Sequence, residues 1–271
     1  METVSTGEND SVSADEIDTE STDRAGSARP VMYQLWRKLS FLHWKVDPES
    51  LIKLIPDSLE LDRFDGSAYV GLVPFTMRGV RPAYAPAIPP LSNFHETNVR
   101  TYVRYRGGDP GVWFFSLDAA NAIAVGIARA WFKLPYYYAK MHVSKIDRED
   151  SLESTFEGTT IAYDSTRLNP FGARCSVATI PYGPVRRAER DSLDHFLIER
   201  YVLYATRGGS LYRGRVRHSP YPIRSARVER CEETLIAAAG IDRPAGSPPI
   251  VHYSSGVDVT IDPLELVRRV E

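Results

Sequence analysis

The clearest chemical pattern in the chain is the run Asn93–Tyr105, NFHETNVRTYVRY. Successive side chains of an extended strand point to opposite faces. Thr97, Val99, Thr101, Val103 and Tyr105 then share one face, and Glu96, Asn98, Arg100, Tyr102 and Arg104 share the other. The first face suits a sheet core. The second is a row of hydrogen-bonding groups, and it has two readings. It is a solvated sheet face whose Glu and Arg meet cross-strand partners, or it is the polar wall of a pocket. Lys133 is the second candidate. A lysine held neutral can attack a ketone and form an imine that serves as an electron sink. Its competing reading is a solvated lysine at a helix end, where its charge suits the dipole.

Lys133 lies in Gly111–Val143, the stretch that must position any such chemistry. Val112–Leu117 is a short apolar run that suits a strand buried on both faces. Ala119–Trp131 reads as a helix packed through Ile123, Ile127 and Trp131, four residues apart on one face. Pro135 limits that helix, and Asp118 is placed to cap it. Tyr136–Val143 resumes as a strand.

Elsewhere the pattern is short strands and turns. Val31–Trp44 fits a strand or a short helix leading into one. Asp47-Pro48 starts a helix with Asp47 as N-cap, and Leu51, Ile52, Leu54 and Ile55 form its apolar face. Asp65-Gly66 predicts a hairpin between Leu59–Phe64 and Ser67–Met77. Gly79–Pro90 is proline-rich and reads as a loop. Further strands are expected at 154–164, 173–181, 192–204 (directly or after a helical turn), 211–218 and 224–230. Tyr182-Gly183-Pro184 reads as a turn, Glu232–Ala239 as a short helix closed by Gly240, and Val251–Ile261 as the last strand. This is a mainly-β single domain over residues 30–271.

Residues 1–29 carry eight acidic and two basic residues and hardly a large apolar side chain. Such a segment cannot bury enough surface to offset its ordering entropy, so a disordered acidic tail is expected. Its net charge of −6, in a chain of net −2, leaves +4 on the remainder. That balance is too mild to imply a nucleic-acid partner. The longest apolar helical run is too short to span a bilayer and contains Arg129, and no signal peptide is visible. A cytoplasmic protein without a membrane partner is expected. Cys175 and Cys231 match no metal-ligand spacing and are expected to stay reduced. The six histidines never pair at ligand spacing, so no metal is expected. No phosphate loop, dinucleotide fingerprint or nucleophile elbow is present, and no cofactor is expected.

Several ordered blocks carry a family resemblance. They are Trp36-Arg37, Phe41-Leu42-His43-Trp44, Leu59-Glu60-Leu61-Asp62 and Phe64-Asp65-Gly66. They continue with the Glu96/Asn98/Arg100/Tyr102 row, Phe114–Asp118, Ala128-Arg129, Leu134-Pro135-Tyr136 and His218-x-Pro220-Tyr221-Pro222. Together, over residues 31 to 240, they resemble the YqjF-like domain of unknown function 2071 family, grouped with the acetoacetate decarboxylase-like superfamily. The resemblance implies a β-rich, cone-shaped antiparallel barrel with a central pocket and a few flanking helices. A possible homo-oligomer goes with that superfamily.

Counting along the decarboxylase pattern places Arg37 and Glu96 at the pocket arginine and glutamate. It places Leu134 at the Schiff-base lysine, with Lys133 one residue early. Asn98, Arg100, Tyr102, Arg129 and Tyr136 would complete the ligand-binding set. Arg37, Arg100 and Arg129 would be the partners of a buried Glu96 and hold it ionised. The implied function is binding of a small acidic or carbonyl-bearing metabolite without Schiff-base catalysis. The alternatives are a lyase or decarboxylase that uses Lys133, and a scaffold without a ligand pocket.

Overall fold

A computed structural model describes residues 29–89, 91–147, 159–242, 245 and 250–269. The expected disordered tail falls almost wholly outside these residues, as do the first five residues of the strand expected at 154–164. The chain runs β1 (Met32–Val46), α1 (Pro48–Ile52), β2 (Glu60–Leu61), β3 (Ala68–Pro82), β4 (Phe94–Arg104), β5 (Gly111–Ala119) and α2 (Ala122–Trp131). It continues through β6 (Tyr136–Asp147), β7 (Thr159–Leu168), β8 (Phe171–Arg186), α3 (Leu193–Ile198), β9 (Val202–Arg207) and β10 (Ser210–Arg217). It ends with β11 (Ile223–Glu233), α4 (Leu235–Ala238), β12 (Ile250–Ile261) and β13 (Glu265–Arg268).

The strands form a closed nine-stranded barrel with few helices. Its ring is β4-β5-β6-β7-β8-β11-β12-β1-β3. Pairing of β10 with β12 and of β9 with β5 closes a second, smaller ring on the same wall. Strands β12, β1, β3, β4 and β5 therefore belong to both rings. Where such a strand runs between the two rings, alternate residues face the two interiors and both of its faces are buried. In β4, Thr97, Val99 and Thr101 are buried on one side, and Glu96, Asn98 and Arg100 are buried on the other. The pairing is antiparallel except where β5 meets β6 and β9.

Two apolar cores follow from the two rings. One gathers Leu42, Trp44, Val70, Leu72, Val99 and Val177. The other gathers Leu39, Phe41, Val73, Phe75, Leu117, Phe132 and Leu134. β1 serves both because a bulge at Lys38 (φ 55°) inserts one residue against β3. The bulge flips the side-chain alternation. Trp36 precedes it and Leu39 and Phe41 follow it, yet all three point into the smaller ring. Opposite, Gly256 (φ 133°) lies so near β1 that a Cβ there would overlap the Trp36 carbonyl.

Several local expectations are corrected. Asp47 caps α1 as expected and Leu51 is buried, but Ile52 is exposed. Asp65-Gly66 makes a tight turn between Phe64 and Ser67, but the chain before it pairs with β4, so Leu59–Phe64 is no hairpin partner of β3. β3 runs on to Pro82, and β8 runs through Gly183 to Arg186 without a turn. Residues 193–198 form helix α3, the helical lead-in to a strand that starts only at Val202. β13 follows the strand expected to be last. Asn121, not Asp118, caps α2. Ile123, Ile127 and Trp131 do not pack into the core: they are 57%, 49% and 40% exposed, and Val125 is the buried helix residue. Both cysteines are free. Among the described residues no helix is long and apolar enough to cross a membrane.

Candidate functional site

The smaller ring encloses a cavity of about 90 Å³, walled by Trp36, Phe41, Phe75, Phe114, Leu134 and Tyr221 with a few polar side chains between them. Glu96, Asn98 and Arg100 enter it from the even-numbered face of β4. This settles which way the alternating row points: inward, with Glu96 2% and Asn98 5% exposed.

Glu96 takes one hydrogen bond, from the Tyr136 hydroxyl to Oε2 at 2.9 Å. Burial pushes its carboxyl up to about 8, the Tyr136 bond opposes this and the charge of Asp118 adds to it. No arginine pairs with Glu96 among the described residues, contrary to the expected ionised carboxylate. At neutral pH it is mainly a carboxylic acid, able to donate a proton to an oxygen in the cavity.

Asn98 Oδ1 is buried with no hydrogen-bond partner, and so is Arg100 Nε. Arg100 Nη2 donates to the Leu197 carbonyl at 3.0 Å. Its guanidinium lies 5.6 Å from the Phe41 ring centre and 5.8 Å from that of Tyr102. It has no carboxylate partner among the described residues. Buried donors and acceptors are rarely left open, so the inner end of the cavity holds unmet hydrogen-bonding capacity.

Arg200 also lines the cavity. Unlike Arg100 it is committed: Nη1 lies 2.7 Å from Asp62 Oδ2, and Arg104 Nε takes Asp62 Oδ1 at 2.8 Å. Gln34 sits on the opposite wall and accepts from Trp36 Nε1 at 2.7 Å. Neither Gln34 nor Arg200 carries a sequence signal. Both sit outside the alternating row and reach the cavity only because the ring closes.

Other expected site residues lie elsewhere. Arg37 points away, since it faces opposite to Gln34 and Trp36 on β1. It binds Asp258 at 2.6 Å and the Val257 carbonyl at 2.7 Å. Tyr102 lies behind the wall, with its hydroxyl donating to the Leu197 carbonyl at 2.7 Å and 2.8 Å from His43 Nε2. Burial holds His43 well below its ordinary value, so the ring is neutral, and because the Tyr102 proton goes to Leu197, the hydroxyl is left to accept from Nε2–H. Arg129 donates to the Tyr136 carbonyl at 2.6 Å, outside the cavity.

Lys133 ends α2 in the left-handed region (φ 59°), which turns Lys133 and Leu134 to opposite sides. Leu134 is in the cavity wall. Lys133 lines a neighbouring surface cleft of about 520 Å³ that shares Phe114 and Leu134 with the cavity, and its Nζ stands 3.2 Å from the centre of the Tyr212 ring. No lysine among the described residues lines the cavity. Among the described residues no group of His, Cys, Asp and Glu could hold a metal ion.

The profile of DUF2071, described as an uncharacterised conserved protein, matches residues 33–258. The chain belongs to the DUF2071 family. It is 40% identical to the uncharacterised protein YqjF of Bacillus subtilis (strain 168) over 234 residues, covering 86% of this chain and 91% of that one. Among solved structures it is similar to an acetoacetate decarboxylase from Legionella pneumophila, with TM-score 0.59, 14% identity, and 95% and 98% of the two chains covered. The enduracididine biosynthesis enzyme MppR complexed with pyruvate gives TM-score 0.60 and 12% identity over 90% and 93% of the chains. An acetoacetate decarboxylase-like enzyme from Sphingomonas wittichii RW1 gives 0.59 and 15% over 93% and 99%. These likenesses show the acetoacetate decarboxylase-like fold. At the cavity wall of the DUF2071 chain stands Leu134, with no lysine among the described lining residues.

Proposed function

We propose that this DUF2071 protein binds a small carboxylic acid carrying a further carbonyl or hydroxyl oxygen, without forming a Schiff base. The observation that carries the reading is Arg100, a buried guanidinium in the cavity wall with Nε unpartnered and no carboxylate beside it. A ligand carboxylate would supply the missing charge and acceptors, and such charge-assisted bonds are the strong ones. Asn98 would take a donor, and the protonated Glu96 would donate to the second oxygen. A cavity of about 150 Å³ admits benzene, so 90 Å³ suits a carboxylate and its first carbons. The fold neighbour complexed with pyruvate is consistent with an acid of this kind.

The lysine-dependent alternative finds no support in the geometry, because Lys133 Nζ lies over Tyr212 in another cleft. The test is calorimetric titration with glyoxylate, pyruvate and lactate, beside treatment with pyruvate or acetoacetate and borohydride followed by intact-mass analysis. Saturable binding without a mass adduct is expected. An adduct mapped to a lysine overturns the reading.

A further inference from the structure

A second, strongly apolar space of about 330 Å³ adjoins the cavity. It is a groove between the outward face of α2, with Ile123, Ile127 and Trp131, and a wall of Pro82, Ala85, Pro86, Ile88 and Leu91, with Arg81 beside them. Asn121 ties these two walls together: its side chain caps α2 through the amides of Ile123 and Ala124 and donates to the Leu91 carbonyl at 2.9 Å. The exposed isoleucines and tryptophan of α2 thus have a use that core packing does not give them.

Groove and cavity share four wall residues, Gln34, Met77, Phe132 and Tyr136. Three neighbouring strands run through both in the same order. On β1, Met32 faces the groove, Gln34 the junction and Trp36 the cavity. On β3, Val80 faces the groove, Met77 the junction and Phe75 the cavity. On β4, Phe94 faces the groove, followed on the same face by Glu96, Asn98 and Arg100. The six residue steps from Phe94 to Arg100 span about 20 Å. Polarity changes along this axis: apolar side chains outside, Glu96 with Tyr136 at the junction, unmet Asn98 and Arg100 groups at the inner end.

We infer that the cavity and groove form one elongated site for an amphiphilic carboxylic acid, its head at Asn98 and Arg100 and its hydrocarbon tail leaving past Met77 and Phe132 into the groove under α2. This rests on the small-acid reading above and names the ligand class for the same site. The inner cavity alone is too small for more than the head, and the groove supplies the apolar volume that a tail requires. Burial of each methylene is worth about 0.8 kcal/mol, so affinity should rise about fourfold per added carbon until the groove is filled.

The test is calorimetry on the full chain with straight-chain carboxylates of two to ten carbons, together with the matching alcohols. The expected result is a stepwise rise in affinity with length, at least tenfold weaker binding of each alcohol, and collapse of the octanoate-to-propionate affinity ratio in Ile127→Glu. Ile127 is half exposed, so this variant is expected to keep its fold, which circular dichroism verifies. Equal affinity along the series overturns the inference while leaving the small-acid reading standing. Failure of every acid, short ones included, overturns both. Alcohols that bind as well as acids overturn the head assignment and with it the inference. Length-independent binding with a dimer that Ile127→Glu converts to monomer means that a second copy covers the groove, and also overturns it.

Discussion

Tyr136 donates its hydroxyl proton to Glu96 Oε2 across 2.9 Å, joining the first residue of β6 to the third of β4. The bond stands where cavity and groove meet, since Tyr136 lines both. It is the hydrogen bond Glu96 receives among the described residues, and burial outweighs it, so the carboxyl stays protonated to about pH 8. Polar chemistry at the centre of this barrel is therefore set by a neutral acid and an unpaired guanidinium, separated by about 13 Å of strand with Asn98 between them.

Glu96 makes stability fall as pH rises. The unfolded chain loses this proton near its ordinary value of 4.5, while the folded chain holds it to about 8. Between those limits the native state binds more protons, so unfolding free energy drops by about 1.4 kcal/mol per pH unit. The total at pH 9 is on the order of 5 kcal/mol. Glu96→Gln removes this slope. Urea unfolding of both proteins from pH 4 to 9 should show the variant gaining on the parent only above about pH 4.5, and no divergence there contradicts the assignment.

Arg100→Met should abolish acid binding while leaving the fold intact. The substitution removes a buried cation without a counter-ion and keeps an apolar chain against Phe41 and Tyr102. Loss of the carboxylate contact is expected to weaken pyruvate binding at least tenfold. Unfolding free energy should change by less than about 1.5 kcal/mol, because replacing a buried charge by a packed apolar side chain is often near neutral. Calorimetry and urea midpoints check the two halves.

The pair Asp118–Arg167 behaves oppositely. Arg167 grips Asp118 with Nε at 3.0 Å and Nη2 at 2.7 Å, and stacks 3.8 Å from the Tyr137 ring centre. Asp118 is fully buried. Asp118→Ala leaves an unpaired buried guanidinium and should cost about 3–5 kcal/mol. Asp118→Leu with Arg167→Met should recover most of it. A shift of the urea midpoint at constant slope measures both.

Asn121→Ala should cost about 1 kcal/mol through the lost cap of α2, whereas Asn121→Gly should cost only a few tenths. Both lose the link to the Leu91 carbonyl. Hydrogen exchange should then speed up in α2 and in the segment Pro82–Ser92 together, while β4 amides keep their protection. Exchange confined to the helix would mean that the link does not hold the groove wall.

Much of the fold was legible in local pattern. The alternation in β4 and the Asp47 cap are one-dimensional signals, and each appears at its expected place. The errors came where two patterns have the same appearance. Ile123, Ile127 and Trp131 form an apolar helical stripe, and a stripe facing a core and a stripe facing an open groove are identical in sequence. Arg37 was counted into the pocket by position along the chain. The alternation of β1 puts Arg37 opposite Trp36, and the side chain goes to Asp258.

The order of residues alone determined which side chains share a strand face, because a period of two is a property of the extended backbone. It thereby set Glu96, Asn98 and Arg100 in one row. Only the tertiary structure decided that the row points inward. That choice depends on closure of the second ring by β9 and β10, which are far from β4 in sequence. It also decided the charge state of Glu96, since desolvation is a property of everything packed around a group and not of its neighbours in the chain.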